Sequence, residues 1–164
     1  MFKKIFVLMC ILSVMLTAEA FAGHKQRVVN TASGKAVAAA RVEVGEAPVM
    51  YGYKEKDGRA IINFRDNEAY LEYEVEVVLN TSKVEEMEIK GSNIAGSTTV
   101  KLTEADIREL IMRAYPDARM IKISKEREGV NTYYEAEFVT AKYKVEADMN
   151  PFTGAFAKRE YKYF

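Results

Sequence analysis

The segment spanning residues 142–164, KYKVEADMNPFTGAFAKREYKYF, reads as two strands around a turn. KYKVEADM and AFAKREYKYF both place apolar or aromatic residues at alternate positions, the period of a strand with one buried face and one wet face. Between them, Asn150, Pro151, Thr153 and Gly154 supply turn chemistry: Asn and Gly tolerate the left-handed backbone that opens the last strand. No catalytic side chain stands in an obvious position. The chain ends in a sheet suited to presenting a surface.

Upstream, Thr103 precedes EADIRELIMRAY, where Ile107, Leu110, Ile111 and Ala114 recur at helical spacing. Thr103 is the cap, Asp106 completes an imperfect capping box, and Glu104 and Asp106 suit the positive end of the helix dipole. Pro116 stops the helix. The strand-like runs ARMIKISKE and TYYEAEFVT come next and lead into the C-terminal pair. A helix followed by antiparallel strands predicts an α+β unit, with the helix covering one face of the sheet.

Residues 26–102 read as β-rich. The strand candidates are RVEV (41–44), AIINF (60–64), LEYEVEVVL (71–79) and the short alternating run KVEEMEIKG. Ser33-Gly34, Lys56-Asp57-Gly58 and Asp66-Asn67 mark turns. Glu72, Glu74 and Glu76 line one face of the third run. A row of this kind keeps a sheet face wet and discourages edge pairing, and it could also dock a basic partner. GKAVAAARV is the one candidate helix in this half.

The second half resembles the PepSY domain family. LTEADIRELIMRAYPDARMIKI, YYEAEF and YKVEADMNPFTGAF carry the resemblance, with Asn150 where that family usually has Asp and Asp117 where Gly is common. The resemblance implies a non-catalytic interaction module, associated in protease propeptides with restraint of peptidases. The first half more weakly resembles carboxypeptidase-regulatory-like or prealbumin-like β-sandwich domains, through SGKAVAAARVEV, KEKDGRAIINF and YLEYEVEVVL. A divergent first PepSY-like unit is the alternative. The expected architecture is therefore α+β: a small antiparallel β-sandwich over 23–102, followed by a PepSY-like domain over 103–164 with one helix packed on an antiparallel sheet.

Residues 1–22 have the layout of a secretory signal peptide: Lys3 and Lys4, an apolar run from Ile5 to Leu16, and small residues for cleavage after Ala22 or Ala20. The expectation is a periplasmic or secreted protein with no stable membrane insertion after cleavage. Cys10 is the single cysteine and lies in that run, so the exported part is expected to fold without an internal disulfide. Twenty-four Lys and Arg balance 24 Asp and Glu, and the two signs are interspersed; no nucleic-acid partner, which would demand clustered positive charge, is expected. The one histidine, His24, stands at the very start of the expected exported chain, so no Ser-His-Asp or Cys-His constellation is expected in its folded part. Cleavage after Ala22 would place the Gly23 amine beside His24, an arrangement similar to the copper-binding tripeptide Gly-His-Lys.

No enzyme and no cofactor are expected. The expected partner is a protein or peptide, with a peptidase as one form, bound by strand addition through residues 155–164 and 133–138. Tyr133, Tyr134, Phe138, Tyr143, Phe156, Tyr161 and Tyr163 are the candidate contact residues. The alternative is an accessory sensor or buffer of a small ligand or metal, using a pocket between the 104–115 helix and the sheet.

Overall fold

The computed structural model describes residues 31–91 and 95–164; the signal segment, Gly23 and His24 lie outside them. In chain order the elements are α1 (Ala32–Val44), β1 (Val49–Lys56), β2 (Arg59–Asp66), β3 (Leu71–Val78), β4 (Lys83–Gly91), α2 (Glu104–Ala114), β5 (Arg119–Glu128), β6 (Asn131–Val139), β7 (Tyr143–Met149) and β8 (Phe156–Tyr163). All eight strands join one antiparallel sheet in the order β1-β2-β3-β4-β8-β7-β6-β5.

No separate N-terminal sandwich forms among the described residues, which corrects the expectation for the first half. The segment RVEV, read as a strand, is the last turn of α1. Two β-branched valines suggested a strand, but the alanine-rich run before them has the higher helix propensity, and a cap fixes its start. Thr31 is that cap, its hydroxyl accepting from the Gly34 amide at 2.9 Å. The helix buries only small residues, Gly34, Ala36 and Ala40, so its backbone lies close over the sheet. A large-residue apolar stripe, the usual sign of an amphipathic helix, is missing for that reason. At the far end Arg41 stacks its guanidinium on the Phe64 ring at 4.5 Å and donates to the carbonyls of Gly45 and Pro48.

The two halves run through the same order, one helix and then a four-strand meander, with corresponding elements starting about 70 to 73 residues apart. Thr31 and Thr103 both cap helices, Asp57 and Gly129 both take left-handed turns, and Leu71 and Tyr143 both begin third strands. The two first strands, β1 and β5, also share an irregular register near their starts. The meanders join through their last strands, β4 against β8.

One face of the sheet carries the core: Ile62 and Phe64 of β2, Val75 and Val77 of β3, Met87 and Ile89 of β4, Val145 and Met149 of β7, and Tyr134 and Phe138 of β6. Both helices cover this face. α2 contributes Ile107 and Ile111, fully buried and one turn apart; each such side chain contributes roughly 1.5–3 kcal/mol through burial. Thr103 and Asp106 form the reciprocal capping box, Asp106 taking the Thr103 amide at 2.7 Å. The other face is a field of charge. Among the described residues no helix is long and apolar enough to cross a membrane.

Candidate functional site: the aromatic valley and the free edge

Two regions offer chemistry. The first lies on the helix side of the sheet, over β7 and β8 between the C-terminal ends of α1 and α2. Tyr115 caps α2 and packs its ring on Phe138 at 4.9 Å and on Phe156 at 6.0 Å. Its hydroxyl shares a 2.7 Å hydrogen bond with that of Tyr161. Tyr143 meets Tyr161 and Tyr163 edge-on, at 5.0 and 5.5 Å between ring centres. At the α1 end, the Tyr163 hydroxyl donates to Glu43 at 2.9 Å, and Lys142 reaches the same carboxylate. Burial first, and then the Glu43 carboxylate, pushes the Tyr163 phenol well above its usual range. Burial likewise raises Tyr161, against the opposing pull of Arg159.

Arg159 projects into the same valley. Its register partner is Ile89, whose side chain belongs to the core face. Its guanidinium lies over the Phe156 ring at 5.3 Å and donates to the Tyr115 hydroxyl at 3.5 Å.

The second region is the edge. β1 pairs only with β2, and β5 only with β6, so each presents a row of main-chain groups to solvent. The two edges differ. β1 exposes Val49, Met50, Tyr51 and Tyr53, with Arg65 under the Tyr51 ring at 5.0 Å. β5 exposes Lys122, Lys125, Arg127 and Glu128, with Met120 its one exposed large apolar residue. Charge guards β5, and β1 has that protection only at Lys54, Glu55 and Lys56.

The open face carries Glu74, Glu88, Glu160, Glu146 and Glu137 in one row across five strands. Lysines thread between them: Lys158 lies 2.9 Å from Glu88 and 3.5 Å from Glu160, Lys162 2.8 Å from Glu160, and Lys144 2.8 Å from Glu146 and 3.1 Å from Glu137. The acidic strip foreseen on β3 is thus continued across the sheet and largely neutralised.

The residues singled out in the sequence separate into three places. Phe138, Tyr143, Phe156, Tyr161 and Tyr163 gather in or beneath the valley. Tyr134 is buried, its hydroxyl donating to the Leu102 carbonyl at 2.9 Å. Tyr133 alternates onto the charged face. Asn150 to Gly154 form the β7–β8 turn: the Asn150 side chain accepts from the Phe152 and Thr153 amides, and the Pro151 carbonyl receives the Lys101 and Leu102 amides. β6 and β8, the strands expected to accept a partner strand, are each paired on both sides and have no free edge. Their alternation shows that they are strands but carries no information on the order of the sheet. Sequence reasoning missed β1 altogether, because VMYGYKEK lacks regular alternation. It also missed Arg159 and Tyr115, which no local pattern marks.

No family model matches the chain, and no curated protein matches it. Two solved structures are similar at a low level. A BLIP-like protein from Bacteroides fragilis shares 14% identity over 74% of this chain and 80% of its own, with a TM-score of 0.33. A DUF2874 family protein from Bacteroides uniformis shares 13% over 77% and 87%, with a TM-score of 0.30. Among the described residues no group of three or more His, Cys, Asp or Glu is placed to hold a metal ion.

Proposed function

We propose that this chain is an exported, non-catalytic protein- or peptide-binding module of the cell envelope, and that it holds an extended segment of its partner against the free edge of β1. The observation that carries the reading is the asymmetry between the edges. Two first strands at equivalent places in the repeat differ in protection, and the unguarded one exposes four large apolar side chains in five residues. Strand addition gains affinity from main-chain hydrogen bonds and specificity from alternate side chains. By register Met50 and Tyr53 stand on the helix side, and Val49 and Lys54 stand on the charged side with Tyr51 above Arg65. The fitting segment is extended, apolar over the first part of β1 and acidic opposite Lys54 and Lys56.

Export rests on the signal-like first 22 residues. The PepSY-like sequence of the second half supports a peptidase as the partner. The test is retention from an envelope extract by tagged protein in three forms: unmodified, Tyr53→Lys, and Met120→Lys on the guarded edge. The reading expects one protein to be retained by the unmodified and Met120→Lys forms and lost by Tyr53→Lys. Equal retention by all three would place the contact elsewhere.

A further inference from the structure

The valley holds a cation without a counter-charge among the described residues. Among the described residues three arginines are half-buried, Arg41, Arg59 and Arg159. Arg41 donates to two main-chain carbonyls, and Arg59 sits 2.6 Å from Glu76 and 2.7 Å from Glu85. Arg159 has neither arrangement. Its polar and ring contacts among the described residues are one long hydrogen bond to a phenol and the face of Phe156. A guanidinium carries five N–H donors in a planar fork that fits the two oxygens of a carboxylate. Burying such a group without an anion is costly, and a partly dry site strengthens its attraction for one. The Glu43 carboxylate, at the α1 end of the valley, is engaged by Lys142 and Tyr163.

The surroundings define what else a ligand must carry. Tyr115 and Phe156 are half-buried rings in contact with Arg159, the half-buried Tyr143 ring continues the valley from Tyr161, and the paired Tyr115 and Tyr161 hydroxyls give a further polar contact. We infer that Arg159 anchors a binding site for a carboxylate borne on an apolar or aromatic group, with the guanidinium taking the carboxylate and the Tyr115, Tyr143 and Phe156 rings taking the apolar part. Two sources share this chemistry: a free carboxylic acid, and the C-terminal residue of a peptide. The site is separate from the β1 edge and stands or falls independently of strand addition there.

The test uses the exported chain and three probes: phenylacetate, N-acetyl-alanyl-phenylalanine with a free C-terminus, and the same dipeptide as its amide. Binding is read by calorimetry and by the Nε–Hε resonance of Arg159 in the unmodified protein. Saturable binding of at least one acid with a shift of that resonance, no binding of the amide, and at least about tenfold weaker binding by Arg159→Met are the expected results. Phenylacetate binding as tightly as the dipeptide acid would identify a free-acid site, and a dipeptide at least about tenfold tighter would identify a peptide terminus. No saturable shift with either acid, or an amide that binds as well as the acid, overturns the inference. These two readouts need only the unmodified protein, so they decide the matter even if Arg159→Met does not fold.

Discussion

Glu88 and Glu160 lie directly opposite each other across the β4–β8 pairing, and they are also equivalent positions of the two repeats. Their neighbours exchange partners across the same point: Met87 faces Tyr161, and Ile89 faces Arg159. A local two-fold relation therefore passes through the seam and sets two carboxylates side by side. Like charges directly opposite on a sheet are destabilising. Lys158 bridges them, 2.9 Å from one and 3.5 Å from the other.

Replacing that bridge exposes the repulsion. Lys158→Met is expected to cost about 1 kcal/mol, near the upper end for a partly exposed pair. Adding Glu160→Gln to the same chain should recover part of the loss. Urea unfolding of the two single variants and the double variant measures this coupling, and strict additivity would show that Lys158 does not mediate between the two carboxylates.

Tyr161 and Tyr163 make the fold sensitive to alkali. Burial, with the Glu43 bond added at Tyr163, raises both phenols above their unfolded value of about 10. For a raised group the stabilisation is complete below the unfolded value and is lost as pH rises above it. Thermal unfolding should therefore be insensitive to these groups at neutral pH and fall progressively above about pH 10. Tyr163→Phe is expected to cost about 1–2 kcal/mol at pH 7 and to make the alkaline fall shallower.

Glu86 acts in the opposite pH range. Burial, followed by repulsion from Glu160, raises its carboxyl above the ordinary range, so its ionised form is penalised in the fold. The penalty is absent below the unfolded value and grows as pH rises through the folded one. Glu86→Gln should stabilise the protein at pH 7, with the gain vanishing by about pH 3, as thermal melts at the two pH values would show.

Gly154 is held by two constraints at once. Its φ is +75°, and a Cβ there would meet the Leu110 Cδ1 at 2.4 Å. Gly129 has a φ of +60° but open space around it. Gly154→Ala is expected to cost more than about 2 kcal/mol and Gly129→Ala about 1 kcal/mol, compared by denaturant midpoints.

The legible parts of the fold were those with strong local chemistry. Ile107, Leu110 and Ile111 behind the Thr103 cap define α2, and the alternation of LEYEVEVV and YKVEADM defines β3 and β7. α1 was obscured because its buried face is made of Gly34, Ala36 and Ala40, which leave no apolar period, while Val42 and Val44 suggest a strand. β1 was obscured by the register shift between Met50 and Gly52, which breaks its alternation. Strand order depends on contacts between residues as distant as Glu88 and Glu160, and no local pattern encodes it. The same holds for the valley. Its aromatic rings were recognisable as candidates, but Arg159 joins them only when α2 brings Tyr115 over β8.

The most direct test of partner capture at β1 is hydrogen exchange of the backbone amides, followed by mass spectrometry, with and without the protein retained from the envelope. The account predicts slowed exchange over residues 49–56 in the complex and unchanged exchange over residues 119–128. Protection confined to β5 or to the charged face, with β1 exchanging as in the free protein, would contradict it.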